Sequence, residues 1–148
     1  MLFRSWEAIL SPRTYEFSLE PGETFAYHED VLPEYQDSLV ITTKSVFGPQ
    51  QGYLTDGYLY GDGVCHLASL MNWAARDAGL KVYVPKDHRS VGPINEIDDD
   101  YGVSIYIDPV RGIGERNNLY ITNNRDSVLT FVFSYDGESL QVDINEKA

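Results

Sequence analysis

The clearest hydrophobic pattern in this chain lies between positions 64 and 78. Apolar residues recur there at steps of three and four, and they are Val64, Leu67, Ala68, Met71, Ala75 and Ala78. This spacing gives an α-helix one apolar face, and the glycine at position 79 is a typical helix stop. A second stripe of the same helix carries Cys65, Ser69, Asn72 and Arg76. The pattern predicts an amphipathic helix with a cysteine in its first turn, outside the main apolar row.

Most of the remaining chain carries strand patterns, rich in aromatic and β-branched residues. The predicted strands are Thr14–Leu19, Leu39–Phe47, Tyr58–Tyr60, Leu80–Val84, Val103–Ile107, Leu119–Thr122, Val128–Tyr135 and Leu140–Ile144. Asp136 and Gly137 predict a tight hairpin turn between the last two of these strands. The simplest architecture that buries both kinds of apolar face is an α+β fold. It has a mostly antiparallel sheet and one main helix that starts at the cysteine.

Composition limits the classes of function. The 148 residues suffice for one domain, and 43% of them are hydrophobic, which excludes a disordered chain. The formal net charge of -12 would repel a phosphate backbone, so nucleic acid is not an expected partner. No apolar run approaches the roughly 18 to 20 residues of a membrane span, so no membrane insertion is expected. The first six residues lack the apolar segment of a secretory signal, which favours either a cytoplasmic location or export by another segment.

The only cysteine of the chain lies where a glycine-rich turn runs into the predicted helix, in the segment Gly61-Asp62-Gly63-Val64-Cys65-His66. The first N–H groups of a helix have no internal partner, and with the aligned peptide dipoles they favour an anion such as a thiolate. Cys65 is therefore a candidate nucleophile. The alternative is a small buried hydrophobe at a helix end, because free cysteine is among the most buried residue types.

A thiolate that transfers acyl groups needs a proton acceptor or ion-pair partner, and the chain offers His28, His66 and His88. Side chains adjacent on a helix point about 100° apart, so His66 is poorly placed to serve Cys65. His88 follows the strand after the helix and is the favoured base, with a solvent-exposed loop histidine as the alternative. Asp100 is the candidate that orients its imidazole, although two equally acidic residues precede it and all three could face water.

The residues just before the cysteine are candidates for substrate binding. Gly61 and Gly63 would let a substrate approach the main-chain N–H groups that stabilise an oxyanion, or they form a tight turn without a ligand. Tyr60 could line a groove, although packing is the commoner use of tyrosine in a β-rich domain. The spacings of the histidines and the cysteine follow no zinc-site pattern, so neither a metal nor a cofactor is expected.

Several segments, in the same order, resemble the VanW-like domain family. They are Phe17–Phe25, Gly48–Tyr53, Gly61–Ser69 with Asn72–Ala75, His88–Ser90, Asp100–Val103 and Asn118–Asn124. The resemblance identifies residues 17–146 as a single VanW-like domain after an N-terminal lead-in at 1–16. This chain departs from the family at Asp62, His66 and Ala68, where the family usually has glycine, glutamine and serine. His66 could still donate a hydrogen bond to a substrate.

The resemblance implies work at the bacterial cell envelope and an extracellular or envelope location. Some members of the family are reported to act as L,D-transpeptidases in which the signature cysteine is the nucleophile. The expected function is therefore a cell-wall cysteine acyltransferase that acts on peptidoglycan stem peptides through a thioester. Two other classes remain open, namely a non-catalytic envelope module that binds peptidoglycan or a partner protein, and a cysteine peptidase or amidase that uses water as the acceptor.

Overall fold

The fold is mostly β-structure, with one α-helix among the residues that the structure describes. The computed structural model describes residues 12–28, 39–41, 45–48, 52–55, 59–60, 64–105, 112 and 114–147. The first six strands are β1 (Arg13–Leu19), β2 (Thr24–Ala26), β3 (Leu39–Ile41), β4 (Ser45–Gly48), β5 (Gly52–Thr55) and β6 (Leu59–Tyr60). Helix α1 (Val64–Asp77) follows, then β7 (Lys81–Tyr83), a 3-10 helix (Asp99–Tyr101), β8 (Tyr120–Thr122), β9 (Leu129–Tyr135) and β10 (Leu140–Glu146).

The strands form three sheets, with the spatial orders β1-β9-β10, β3-β2-β8-β7 and β4-β5-β6. Every pairing of named strands is antiparallel except that of β2 with β3. The prediction of an α+β fold with a mostly antiparallel sheet and one main helix is confirmed. None of the described helices is both long and apolar enough to cross a membrane.

The hydrophobic core forms where β1, β9 and β2 meet helix α1. The rings of Phe17 and Phe131 stack with centroids 4.8 Å apart, and Phe25 stacks on the other side of Phe17 at 5.2 Å. The helix contributes the apolar row that its sequence spacing predicts, with Ala68, Met71 and Ala75 all buried. Stacked aromatic rings that are buried in this way are worth about 0.5–1.5 kcal/mol per pair beyond their buried area.

The C-terminal end of α1 is fixed by the glycine that its sequence predicts as a stop. Gly79 adopts a φ of 70°, and the N–H of Leu80 donates to the carbonyl of Ala75 at 2.9 Å. This left-handed residue with a hydrogen bond back into the last turn is a common helix end. Arg125 donates to the carbonyl of Ala78 at 2.6 Å and places a positive charge at the negative end of the helix dipole.

Two predicted strands differ from the structure. The predicted strand Leu39–Phe47 is two strands, β3 and β4, which belong to different sheets. The predicted strand Val103–Ile107 is not a strand over its described residues, 103–105, where only an isolated bridge joins Val103 to Asp87. The first described strand begins at Arg13, inside the segment interpreted above as a lead-in.

Candidate functional site

The polar stripe of α1 holds the chain segment 101–105 along the helix. Asn72 donates from its side chain to the carbonyl of Tyr101 at 2.9 Å. Ser69 Oγ accepts from the N–H of Val103 at 2.8 Å and donates to the carbonyl of Cys65 at 2.6 Å. Both stripe residues are buried, so these bonds satisfy groups that would otherwise lack a partner. The stripe that carries the cysteine is therefore an attachment surface for this segment.

The segment and the helix run in opposite directions, which brings Ile105 level with Cys65. Asn72 contacts Tyr101, and Ser69, which is about one turn closer to the helix start, contacts Val103. Cys65 is one further turn of helix before Ser69, which covers about 5–6 Å. Ile105 is two residues after Val103, and two extended residues cover about 6–7 Å. The helix start and Ile105 therefore lie at the same height.

His28 lies at this height, held to Ile105 from the sheet side. Its ring Nε2 is 2.8 Å from the carbonyl of Ile105, and the residue is only 3% exposed. Its main chain is clamped by Asn118, which accepts from the His28 N–H and donates to the His28 carbonyl, both at 2.9 Å. Because Asn118 is itself fully buried, the position of His28 is set by packing and by hydrogen bonds.

The contact with Ile105 also fixes the protonation state of His28. A carbonyl oxygen only accepts hydrogen bonds, so Nε2 carries the proton and Nδ1 carries the lone pair. Burial lowers the pKa of His28 to about 4, against the smaller opposing effect of the Ile105 carbonyl. The imidazole is consequently neutral at pH 7, in the form that accepts a proton.

Tyr27 interacts both with His28 and with Cys65. Burial raises the pKa of the Tyr27 hydroxyl, and the negative charge of a Cys65 thiolate raises it further. The phenol and the sulfur are therefore close enough to interact electrostatically, and the phenol stays protonated at any physiological pH. The rings of Tyr27 and His28 meet edge to face, with centroids 5.6 Å apart. We refer to Cys65, Tyr27 and His28 as the thiol cluster.

Cys65 itself is half-buried and forms no disulfide. It is the second residue of α1, as the sequence predicts, and its apolar part packs against the edge of the core. In an α-helix the N–H groups of the first turn have no acceptor within the helix. The residue therefore combines partial exposure with a helix start, which is the environment of a reactive thiol.

His88 lies in a different part of the molecule, along the loop after β7. Its N–H donates to the carbonyl of Gly102 at 3.2 Å, and its ring Nδ1 is 2.8 Å from the carbonyl of Gly92. Gly102 precedes Ile105 by three residues, or about 10 Å of extended chain. His88 is therefore bonded to this segment at a different point from His28. His88 is half-buried there, and its Nδ1 proton is directed to a backbone carbonyl of its own loop.

Asp100 pairs with Arg89 on the surface. The guanidinium donates to Oδ1 of Asp100, and the two side chains are 59% and 72% exposed. The main chain of Asp100 belongs to the 3-10 helix, which Asp98 caps by accepting from the Asp100 N–H at 2.9 Å. The hydrogen-bond partner that the structure gives to the Asp100 carboxylate is thus an arginine and not a histidine.

The remaining candidates divide between described and undescribed parts of the chain. Gly61 and Gly63 lie outside the described residues. Tyr60 belongs to β6, and its side chain lies outside the described part. His66 is half-buried and lines a cavity between α1 and the β9–β10 hairpin. Among the described residues, no three His, Cys, Asp or Glu side chains are arranged to hold a metal ion.

The sequence pattern did not single out two members of the thiol cluster. Tyr27 and His28 follow a three-residue strand, and their burial depends on contacts with Leu119, Asn118 and Ile105. A signal that could have directed attention to them is an aromatic residue and a histidine directly after an apolar run, at Phe25-Ala26-Tyr27-His28. That signal is weak, because it does not indicate that Asn118 and Ile105 are the partners of His28.

Comparisons with protein-family models, with curated proteins and with solved structures give no match for this chain.

Proposed function

We propose that this protein is a cysteine acyltransferase of the L,D-transpeptidase type, with Cys65 as the nucleophile. The observation that carries the proposal is the thiol cluster. Its cysteine is half-buried in the first turn of α1 and interacts electrostatically with Tyr27. The ring of Tyr27 meets the ring of His28, which is buried and neutral. The resemblance to VanW-like domains supplies the substrate class, which is a peptidoglycan stem peptide.

The reaction would proceed in two balanced steps. In the first, the sulfur of Cys65 attacks the carbonyl carbon of a stem-peptide amide, a C–S bond forms, and the C–N bond breaks. The thiol proton leaves with the departing amine, carried by a proton acceptor beside the sulfur. In the second step, an amine of another stem attacks the thioester, a C–N bond forms, the C–S bond breaks, and the amine proton returns to the thiolate.

His28 is our candidate for the proton acceptor. It is neutral at pH 7 because burial lowers its pKa to about 4, and its lone pair is on Nδ1. A neutral imidazole has a lone pair that can accept the thiol proton, whereas an imidazolium has none. Because a pKa of about 4 makes His28 a weaker base than a free imidazole, the transfer requires that the thiolate formed on Cys65 stabilise the imidazolium. Tyr27 remains a phenol and can donate a hydrogen bond, and the N–H groups at the start of α1 are the natural donors for the oxyanion.

The test is mass spectrometry of the intact protein after incubation with purified stem peptides, with and without an added amine acceptor. We expect a covalent adduct on Cys65 whose mass equals the acyl part of the donor, and a cross-linked peptide once the acceptor is present. Cys65→Ala should abolish both products while leaving the circular dichroism spectrum unchanged.

Two other results would replace the proposal. Release of a free acid without cross-linked product, even with excess amine, would identify a peptidase or amidase. No adduct with any stem peptide, combined with an alkylation rate of Cys65 equal to that of a free thiol, would leave a non-catalytic binding module.

A further inference from the structure

A second feature of the molecule, next to the thiol cluster, has the form of a side-chain pocket. A cavity of about 440 Å³ lies between the first two turns of α1, the loop at 96–97 and the β9–β10 hairpin. This volume falls in the range of about 300–1,000 Å³ that is typical of small-ligand sites. We call it the hairpin pocket.

The pocket has a mixed lining, in which aliphatic surface lies next to polar and acidic groups. Leu67 and Leu70 from the helix and Leu140 from β10 supply aliphatic surface, and all three are half-buried. Glu96 and Glu138 lie on the two facing loops. Among the described residues that line the cavity, none is a lysine or an arginine, so no fixed positive charge offsets the two carboxylates.

The hairpin side of the pocket is held in place by its own hydrogen bonds. Asp136 accepts from the N–H groups of Glu138 and Ser139, each at 2.8 Å, and these bonds lower the pKa of its carboxyl group. The hydroxyl of Tyr135 donates to the carbonyl of Gly137 at 2.7 Å. A turn fixed in this way holds Glu138 opposite the helix before any ligand binds, which lowers the entropic cost of binding.

The pocket begins at the residue that follows the nucleophile. His66 lines it, and the Cα atoms of consecutive residues lie about 3.8 Å apart, so one end of the cavity is close to Cys65. His66 and Leu70 are one turn apart on α1, so the pocket extends along the helix from His66 toward the hairpin.

We propose that the hairpin pocket binds a lysine-like side chain of a peptide, with an aliphatic stem and a terminal amine. The stem would cover the three leucines, and the ammonium group would lie between Glu96 and Glu138. Long cationic side chains commonly pair an apolar stem with a charged end in this manner. The charge of the whole chain, -12, favours the same class of ligand. The role of the pocket as a subsite of acyl transfer depends on the proposed function, whereas the binding itself does not.

The test uses three matched probes, N-acetyl-lysine methylamide, N-acetyl-norleucine methylamide and N-acetyl-glutamate methylamide. Norleucine keeps an aliphatic chain and lacks the charge. Methyl NMR of the full-length protein should show shifts at Leu67, Leu70 and Leu140 with the lysine probe. We expect its Kd to be about fivefold to tenfold lower than that of the norleucine probe, as two ion pairs with the exposed Glu96 and Glu138 permit. The glutamate probe should bind more weakly than either.

Two double variants complete the experiment. Glu96→Gln with Glu138→Gln should bring the lysine and norleucine affinities within about twofold of each other. Glu16→Gln with Glu20→Gln makes the same change in charge in β1 and at the residue that follows it, on the other edge of the β1-β9-β10 sheet, and should preserve the preference.

The proposal is overturned if the lysine probe fails to bind, if it shifts methyl signals elsewhere, or if both double variants weaken it equally. Binding of the lysine probe by a protein that forms no acyl adduct would support the pocket and reject only the enzymatic proposal.

Discussion

The two histidines that could serve Cys65 occupy opposite kinds of environment. His28 is 3% exposed, is clamped through its main chain by Asn118, and directs its ring Nε2 to the carbonyl of Ile105. His88 is half-buried in a loop, and its ring bonds to a carbonyl four residues further along the same loop. The main chain and the ring of His28 are positioned by residues distant in sequence, whereas the ring of His88 is bonded within its own loop and its main chain is bonded to Gly102.

This difference shows what a catalytic base requires beyond proximity in sequence. Burial lowers the pKa of His28 and so keeps its ring neutral at pH 7, and the hydrogen bond to the Ile105 carbonyl fixes its tautomer. The surroundings of His88 are more exposed, and the acidic residue proposed to orient it is paired with Arg89. The edge-to-face contact of Tyr27 with His28, and the electrostatic interaction of Tyr27 with Cys65, make His28 our candidate for the base. We expect the following effects, from the largest to the smallest.

The largest effect should be an acid-dependent loss of stability that originates at His28. The native protein holds this imidazole neutral down to about pH 4, whereas the unfolded chain binds the proton near pH 6.5. Between these values the unfolded state carries the extra proton, so acid favours unfolding. The contribution of His28 to the unfolding free energy is complete above pH 6.5 and is lost as the pH falls to about 4. A shift of this size corresponds to about 3 kcal/mol of unfolding free energy.

Urea unfolding at several pH values between 7.5 and 4 measures this dependence. A matched pair of variants isolates the group, because His28→Gln should flatten the curve in this window and His88→Gln should leave it as in the wild type. An unchanged curve in His28→Gln, or a flattened one in His88→Gln, would assign the acid sensitivity to another group and contradict the buried neutral state of His28.

The second effect concerns the reactivity of the thiol. If His28 accepts the proton of Cys65, His28→Ala should slow alkylation by iodoacetamide at pH 7 about tenfold, which is about 1.4 kcal/mol of barrier. His88→Ala should change the rate by less than about twofold, since its ring is bonded within its own loop. The measurement is the second-order rate constant from intact-mass spectrometry under non-denaturing conditions.

His28→Gln serves as a folding control in this experiment, because it retains polar groups at the buried position. Both His28 variants should slow the reaction, and both should keep a native circular dichroism spectrum. A slow His88→Ala protein beside a normal His28→Ala protein would reverse the assignment and restore the base suggested by the motif resemblance.

The parts of the fold that were predictable from sequence are those that local pattern determines. Helix α1 follows from a three- and four-residue spacing and from Gly79, and the β9–β10 hairpin follows from alternation around Asp136-Gly137. Val103 differs, because its N–H donates to Ser69, 34 residues earlier in the chain, rather than to a neighbouring strand. No periodicity within a short window contains that information.

The candidate site also has one part that local sequence predicts and one part that depends on contacts between distant residues. The place of Cys65 at the start of a helix was predictable, since it depends on a local turn and a helical pattern. The place of His28 was not, because its partners Ile105 and Asn118 lie 77 and 90 residues further along the chain. The start of a helix at Cys65 follows from local sequence, while the position of His28 is set by tertiary packing.

The smallest effect should come from Asp100, and it tests whether the second histidine region has any part in the chemistry. Asp100 and Arg89 are both well exposed, and ion pairs of this kind contribute about 0–1 kcal/mol. Asp100→Asn should therefore change the unfolding free energy by less than about 1 kcal/mol and leave the alkylation rate of Cys65 unchanged. Arg89→Gln is the matched control, because it removes the same pair from the other side. If Asp100→Asn alone slows the thiol while Arg89→Gln does not, the carboxylate acts on the site independently of the arginine, and the separation between the two histidine regions no longer holds.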